Sequence, residues 1–172
     1  IRVKRAMSVQ LDINGVGHKC VSFHGAWFRE RFRKEVTLTA GEYKLQSNSG
    51  MSSCTTNPFF MLEKADKRGY FAFNLIYSGN HAEIVEAHTA ANNTRILAGL
   101  NDYCFDWTLQ SGEMFETPQA IMLYADTEAE ITAGMHAFVM NHIVDPNFAD
   151  KERPVLFNNW EGTYFDFDSD KI

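Results

Sequence analysis

The 172-residue chain carries 22 Asp and Glu residues against 16 Lys and Arg residues, a formal net charge of −6. Its 45% hydrophobic and 22% charged residues suit one globular domain with a buried core, which excludes a disordered chain. No apolar run approaches the roughly 18 residues of a membrane-spanning helix, so no membrane partner is predicted. The one basic cluster, residues 29–34, is too small for a nucleic-acid surface and is predicted to be a solvated strand edge.

The three cysteines, Cys20, Cys54 and Cys104, are odd in number and far apart, with no Cys-x-x-Cys pair. This usage indicates reduced, buried structural thiols and a cytoplasmic protein. The chain begins at Ile1 instead of Met, so we expect a start that has been cut, and a missing signal peptide says little about location.

Alternating apolar and polar residues predict several strands that each bury one face. Runs of this kind cover residues 9–13, 36–38, 43–45, 105–109 and 119–124. Residues 69–78 are apolar on both faces and predict a central buried strand, followed by a turn at Gly79-Asn80 and a strand over 82–88. Short strands separated by turns roughly every 8–12 residues predict a mainly β protein, an antiparallel β-sandwich or barrel.

One segment breaks this pattern and predicts an amphipathic helix over about residues 128–143. Thr127 and Glu130 have the spacing of a capping box, in which each side chain bonds the backbone amide of the other residue. After the capping box, residues at spacings of three and four form one stripe along the helix. Its members are Ile131, Met135, Phe138 and His142. Asp145-Pro146 ends the helix, because α conformation is disfavoured before proline.

A polar, charged loop over residues 146–153 follows the helix. It leads to an apolar run at residues 155–160, which predicts one further strand. This loop is the single candidate domain boundary in the sequence.

Neither the histidines nor the acidic C-terminal tail predicts a metal site. None of the six histidines forms a His-x-x-x-His pair, and His136 and His142 do not share a helix face. Asp166, Asp168 and Asp170 alternate as in a calcium loop, but the glycine and glutamate that such a loop needs are missing. We expect a solvated acidic tail, no metal and no cofactor, whereas a Cys–His nucleophile pair stays open.

Trp160 and Glu161 stand at the end of the last predicted strand. An aromatic ring can stack on the apolar face of a sugar, and a carboxylate beside it can act as acid or base. Alternatively, Glu161 is an ordinary structural carboxylate that pairs with a backbone amide or an arginine. The residues alone leave both interpretations open.

Five stretches, in the same order along the chain, resemble glycoside hydrolase family 36, the family of α-galactosidases. They are Phe28-Arg29-Glu30 within residues 25–31, residues 49–60, Asn74-Leu75-Ile76-Tyr77-Ser78-Gly79-Asn80-His81, residues 109–118, and residues 153–165 with Asn158-Asn159-Trp160-Glu161. Each motif alone is weak, but five in register are specific. Phe157 and Gly162 depart mildly from the residues that are usual in the family.

The resemblance implies a mainly β fold in three parts. Residues 1–126 would be the latter part of an N-terminal β-supersandwich, a galactose-mutarotase-like antiparallel β-sandwich. Residues 127–153 would be a linking helix and loop, and residues 154–172 the start of a (β/α)8 catalytic barrel. The boundary expected from hydrophobic periodicity agrees with the one that the family implies.

The resemblance also implies a retaining α-galactosidase that hydrolyses terminal α-D-galactosyl residues of oligosaccharides such as melibiose and raffinose. In the family two aspartates on later barrel strands do the chemistry, so no catalytic residue is assigned here and this chain alone is expected to be inactive. Trp160 matches the tryptophan that lines the galactose pocket, which leaves Glu161 a structural role. The parent protein is expected to be a homo-oligomer that binds α-galactoside oligosaccharides.

Other functions stay open beside this one. A freestanding carbohydrate-binding or scaffold module would have the same β-sandwich architecture. A parent protein that acts on α-N-acetylgalactosamine or transfers galactose would differ from an α-galactosidase only in residues beyond this chain.

Overall fold

The computed structural model describes residues 1–26 and 28–171. Trp27 of the first family-like stretch and Ile172 of the predicted barrel segment therefore lie outside the described residues. The chain forms two compact units, Ile1–Met135 and His136–Ile172.

Within the described residues, eleven strands form three sheets in the first unit, and every strand pair is antiparallel. In chain order they are β1 Arg2–Val3, β2 Met7–Asn14, β3 His18–Ala26, β4 Arg29–Leu38, β5 Gly41–Ser47, β6 Thr56–Glu63, β7 Tyr70–Ile76, β8 His81–His88, β9 Asn93–Leu100, β10 Trp107–Thr108 and β11 Gln119–Ala125. A five-stranded sheet has the order β11-β7-β6-β3-β4, a four-stranded sheet has the order β2-β9-β8-β5, and β1 pairs with β10. The predicted antiparallel β-sandwich is confirmed.

The main core lies between the five-stranded and four-stranded sheets. Its buried side chains from the five-stranded sheet include Cys20, Phe60, Leu62 and Phe73, and those from the four-stranded sheet include Ile13, Leu45, Val85 and Ile96. The rings of Phe60 and Phe73 stack at a centroid distance of 5.1 Å. Successive side chains of a strand point to opposite faces, so only alternate residues reach this core.

Strand β7 confirms the predicted central buried strand, because it lies between β6 and β11. Its Phe73 faces the main core, whereas the neighbouring Ala72 belongs to a second apolar cluster on the other face of the sheet. A strand that is covered on both faces needs apolar residues on both, which explains the absence of alternation in this stretch.

Strand β4 lies at the edge of the five-stranded sheet, and residues 29–35 are exposed. The prediction that the basic cluster is a solvated strand edge is therefore confirmed. Charged side chains on an edge discourage pairing with another chain. Arg33 of this cluster also pairs with Glu128: its Nη2 donates to Glu128 Oε2 at 3.0 Å.

The helix begins where the capping box predicts. The Glu130 backbone N donates to Thr127 Oγ1 at 3.2 Å, and the Thr127 backbone N donates to Glu130 Oε2 at 3.0 Å. An α-helix, α1, covers Glu128–Phe138, and a π-helical turn covers Val139–Ile143. The predicted range is confirmed, but its last five residues are π-helical instead of α-helical. A short helix, α2, follows at Pro146–Ala149.

The predicted stripe of the helix divides between the two units. Ile131 and Met135 are buried in the second apolar cluster, on the outer face of the five-stranded sheet. They pack there against Val21, Met61 and Ala72. Phe138 and His142 lie in the second unit, where their ring centroids are 4.9 Å apart.

Two predicted strands differ from the structure. The strand over 105–109 is only the two-residue β10, because its partner β1 is itself two residues long. The strand over 155–160 is not formed, and a helical turn, α3, covers Trp160–Thr163 instead. A barrel strand is held by hydrogen bonds to neighbouring parallel strands, and the described residues provide no such neighbour for this segment.

The expectation of three buried cysteines is correct only for Cys20. All three thiols are unpaired, but Cys54 is half-buried and Cys104 is exposed in a loop. Burial raises the pKa of the Cys20 thiol to about 12, which makes it an inert part of the core.

Replacing Ile131 by Ala tests whether α1 depends on its contact with the sheet. Ile131 is fully buried, so we expect the free energy of unfolding to fall by about 2–5 kcal/mol, measured by urea denaturation. The control His136→Ala removes an exposed side chain of the same helix and should change stability by less than about 0.5 kcal/mol. Equal effects of the two variants would contradict the docking of α1.

Candidate functional site

The asparagines before Trp160 build the turn that presents it. Asn158 Oδ1 accepts a hydrogen bond from the Trp160 backbone N at 3.0 Å, and Asn159 Nδ2 donates to Thr163 Oγ1 at 2.7 Å. Short polar side chains that bond nearby backbone and hydroxyl groups favour such a turn. The sequence therefore places Trp160 at the start of α3 through local contacts.

The Trp160 indole is held by aromatic neighbours and remains accessible. It meets Tyr164 and Phe165 edge-on, at centroid distances of 5.3 and 4.8 Å. Its relative exposure is 45%. An oriented, accessible ring of this kind can stack on an apolar ligand face.

Glu161 is exposed in the first turn of α3. Among the residues that the structure describes, its carboxylate has neither an arginine nor a backbone amide as a partner. Within residues 1–26 and 28–171, the Glu161 side chain therefore has none of the contacts that a structural role would need.

The apolar run before Trp160 is almost fully open to solvent. Val155 is 99% exposed, Leu156 is 90% exposed and Phe157 is 62% exposed. Contiguous exposed apolar side chains usually mark a surface that another part of a protein covers.

In the first unit, a histidine and a glutamate form a pair inside the sandwich. His81 and Glu83 lie two residues apart on β8, so they share one face, and both are fully buried. His81 Nδ1 is 2.9 Å from both carboxylate oxygens of Glu83. His81 Nε2 is 2.6 Å from the Ser52 carbonyl oxygen and 3.0 Å from the Thr56 carbonyl oxygen.

Every partner of the His81 ring is a hydrogen-bond acceptor. This holds while Glu83 is ionised, that is, above the pKa of its carboxyl group, which burial raises; both ring nitrogens then carry a hydrogen, which only the charged imidazolium provides. By contrast, buried His18 has an acceptor at Nε2, the Asn14 carbonyl, and a donor at Nδ1, the Ala65 backbone N, so one ring hydrogen satisfies both.

The surroundings of His81 favour its charged form. Burial is the largest single influence and acts to lower the pKa of His81, but the hydrogen bonds and charge of Glu83 and the two carbonyls outweigh it together. The pKa of His81 is therefore raised above its ordinary value. The protonated ring holds the loop over residues 48–55 against β8, because Ser52 belongs to that loop.

Asn101, at the end of β9, extends this buried polar network. Its Nδ2 donates to the carbonyl oxygens of Ser47 and His81, at 3.0 and 3.2 Å. Its Oδ1 accepts from the Tyr103 backbone N at 3.0 Å. These bonds satisfy carbonyls at the ends of two neighbouring strands, which fixes the loops that leave this end of the sandwich.

The acidic tail is solvated, as predicted. Asp166, Asp168 and Asp170 are exposed, and Lys171 Nζ pairs with Asp166 Oδ1 at 2.9 Å. Across residues 1–26 and 28–171, no three His, Cys, Asp or Glu side chains come together as metal ligands. No helix of these residues is long and apolar enough to cross a membrane.

Comparisons with known proteins agree along the whole chain. The profile described as glycosyl hydrolase family 36 N-terminal domain matches residues 1–110, and the profile described as melibiase matches residues 114–172. α-Galactosidase AgaA from Geobacillus stearothermophilus is 34% identical and α-galactosidase Mel36A from Lactobacillus acidophilus is 33% identical, each over 100% of this chain. The solved α-galactosidase from Lactobacillus brevis is 39% identical and superposes on 99% of this chain with a TM-score of 0.91.

A β-sandwich followed by a capped helix and an exposed, aromatic-rich turn is the architecture that this chain shares with the solved α-galactosidase from Lactobacillus brevis. The chain belongs to glycosyl hydrolase family 36. It spans 24% of the length of the two curated relatives and 23% of the solved Lactobacillus brevis chain.

The sequence indicated Trp160 but not the buried pair. In the sequence His81 stands out only as one of six histidines without metal-ligand spacing and as the end of a family-like stretch, and Glu83 carries no motif of its own. The available signal was a His-x-Glu spacing within an apolar strand, which places both side chains on one buried face.

The variant Glu83→Gln tests the charge of this buried pair. It keeps the shape of Glu83 but removes its charge, so we expect the free energy of unfolding to fall by about 3 kcal/mol near pH 6. The control Glu86→Gln removes the charge of Glu86, which pairs with His88 on the same strand where the two side chains are 36% and 34% exposed. It should lower the free energy of unfolding by less than about 1 kcal/mol.

The pair also predicts a pH dependence with a definite sign. Because the pKa of His81 is higher in the folded than in the unfolded chain, its contribution to stability is fully present below about pH 6.5 and is lost as the pH rises through the folded-state pKa. The stability difference between the unmodified chain and Glu83→Gln should therefore shrink as the pH rises above about 6.5. It should also shrink toward acidic pH, because burial raises the pKa of Glu83 and a protonated carboxyl is as uncharged as the glutamine amide. Urea denaturation from acidic to alkaline pH measures this difference, and a constant difference would contradict the charged pair.

Proposed function

We propose that the chain is the N-terminal quarter of a retaining α-galactosidase that removes terminal α-D-galactosyl residues from oligosaccharides such as melibiose and raffinose. The observation that carries this proposal is the similarity to α-galactosidases over the full chain, at 33–34% identity to AgaA and Mel36A. AgaA has been solved in complex with stachyose and with raffinose, which are α-galactosyl oligosaccharides.

The division of the chain that fits this function is the one expected from the sequence. Residues 1–126 serve as part of the β-supersandwich, residues 127–153 as the link and residues 154–172 as the start of the catalytic barrel. The exposure of Val155, Leu156 and Phe157 supports the last assignment, because a barrel strand has apolar side chains that neighbouring barrel elements cover.

Trp160 then forms one wall of the galactose pocket. Active sites of (β/α)8 barrels lie at the carboxyl ends of the strands, and Trp160 follows the apolar run directly. An indole binds a sugar through the apolar ring face and leaves the hydroxyl groups to polar residues. Trp160 is therefore a substrate-binding residue, with no part in proton transfer.

The chemical steps need residues other than these. In a retaining glycosidase one carboxylate attacks the anomeric carbon while a carboxylic acid protonates the leaving oxygen, and water then hydrolyses the glycosyl-enzyme. The two carboxyl groups lie about 5–5.5 Å apart on a barrel of about 250 residues. Only a small part of such a barrel follows residue 154, so this chain alone is inactive.

We also propose a cellular location and an oligomeric state for the parent protein. The unpaired thiols of Cys20, Cys54 and Cys104 support a reducing, cytoplasmic location. A homo-oligomeric parent follows from the resemblance to the family.

The 172-residue chain should not hydrolyse nitrophenyl α-galactoside above background in a colorimetric assay. The physical reason is that it lacks the paired carboxylates that retaining chemistry needs. The matched control is the longer protein from the same reading frame, which should turn the substrate over. Turnover by the pure 172-residue chain, or a reading frame that stops at residue 172, would overturn the proposal.

In the longer protein, Trp160→Ala should raise KM for raffinose. Losing the burial of an aromatic ring costs about 1.5–3 kcal/mol, which corresponds to a roughly 10- to 150-fold increase. Trp160→Phe keeps a ring and should restore most of the affinity. Steady-state kinetics of both variants measure this, and an unchanged KM in Trp160→Ala would refute the assigned role.

A further inference from the structure

An aromatic cavity that the proposed chemistry does not use opens beside β10 in the sandwich unit. Its volume is about 560 Å³. Its aromatic lining residues are Tyr77, Phe105, Trp107 and Phe115, and its polar lining residues are Glu116, Thr117 and Gln119. Trp107 is 51% exposed and Tyr77 is 41% exposed, so large ring surfaces face solvent instead of the core.

The aromatic rings are held in place before any ligand binds. Phe115 lies between Phe105 and Trp107, at centroid distances of 5.9 and 5.7 Å. The backbone of Trp107 pairs with Val3 of β1, which fixes the base of the ring. A pre-formed concave surface lowers the entropy cost of binding.

A second cavity of about 290 Å³ continues the first, since both are lined by Tyr77, Leu100 and Phe105. It adds the amide side chain of Asn80, whereas the Asn101 amide is buried and bonded to Ser47, His81 and Tyr103. Asn80 Oδ1 accepts from the Gly50 backbone N at 2.7 Å, so this amide is oriented by the protein. The two cavities together, here called the sandwich cleft, have an aromatic end and an amide end at Asn80.

The chemistry of the sandwich cleft selects a class of ligand. None of the described residues that line either cavity is Lys, Arg or His, so an anionic ligand would find no positive charge. Glu116, Thr117 and Gln119 offer a carboxylate, a hydroxyl and an amide at the rim of the aromatic surface. Apolar walls with a few polar groups are typical of small-molecule sites, and pockets of about 300–1,000 Å³ hold them. An uncharged, polyhydroxylated molecule with one apolar face fits both ends.

We propose that the sandwich cleft binds an α-galactosyl oligosaccharide. The terminal galactosyl ring stacks on Trp107, the Glu116 carboxylate accepts hydrogen bonds from its hydroxyl groups, and the following sugar extends toward the side chain of Asn80. Galactose suits the aromatic end because its axial 4-hydroxyl leaves one ring face with a continuous C–H surface. The choice of galactosides among sugars rests on the proposed function, whereas the site itself rests on the sandwich unit alone.

The test is a titration of the 172-residue chain with stachyose, followed by NMR of the indole N–H signals of its three tryptophans. We expect a saturable shift of the Trp107 signal with a Kd on the order of 1 mM, as an open cleft with one stacking ring would give. Trp107→Ala should weaken binding about tenfold or more, and Trp107→Phe should retain most of the affinity. Glu116→Gln, at an exposed position that leaves the fold intact, should weaken binding about three- to tenfold.

Phe148→Ala in the same chain is the matched control, because it removes an exposed aromatic ring that lines neither cavity, and it should leave the affinity for stachyose unchanged. Absence of a saturable Trp107 shift up to about 20 mM stachyose, on the order of twenty times the expected Kd, would overturn the proposal. Unchanged affinity in Trp107→Ala, or equal affinity for maltotriose, would also overturn it. Hydrolysis by the longer protein is a separate measurement, so failure of the sandwich cleft and failure of the proposed function are distinguishable.

Discussion

The five-stranded sheet has two apolar faces, and both must be covered. The four-stranded sheet covers one face through the main core, and α1 covers the other through Ile131 and Met135. Each of these two side chains contributes about 1.5–3 kcal/mol by leaving water. The helix is therefore part of the sandwich unit up to Met135 and is more than a connection between domains.

A polar network inside this apolar structure has a different role. Transferring the charges of His81 and Glu83 into the sandwich costs free energy, and their mutual attraction offsets that cost only in good geometry. Here the ring and carboxylate meet at 2.9 Å, and the carbonyls of Ser52 in the loop and Thr56 in β6 complete the set of acceptors. The hydrogen bonds of the pair fix how the loop over residues 48–55 meets β8. Apolar contacts could not fix this arrangement, because they have no preferred direction. Asn101 extends the same directional bonding toward the sandwich cleft.

Two groups of aromatic residues remain accessible, and their surroundings differ. Trp160 follows the exposed apolar residues Val155 and Leu156, a setting that calls for coverage by other protein elements. Trp107 lies in a concave cleft with Glu116 and Gln119 at its rim, a setting that suits a small ligand. An exposed aromatic ring is thus expected to contact other protein elements at Trp160 and a small ligand at Trp107, because its neighbouring residues differ.

The amino-acid sequence by itself determined the features that depend on local order along the chain. The capping box of Thr127 and Glu130 set the start of α1, and the unbroken apolar pattern of β7 identified an interior strand. The five family-like stretches identified the family without any knowledge of the fold. Each of these signals lies within a few residues or in the order of motifs, so no spatial information was needed.

Only the tertiary structure decided features that bring together distant residues. The carbonyls of Ser52 and Thr56 meet His81 because the sheet that contains β6 packs against the sheet that contains β8, and Phe105, Phe115 and Tyr77 converge at one end of the sandwich. The apolar run at residues 155–160 shows the reverse case, because its pattern favours a strand but none of the strands in the described part of the chain pairs with it. Hydrophobic periodicity reports which face of an element is apolar, whereas what that face meets depends on contacts that are remote in sequence.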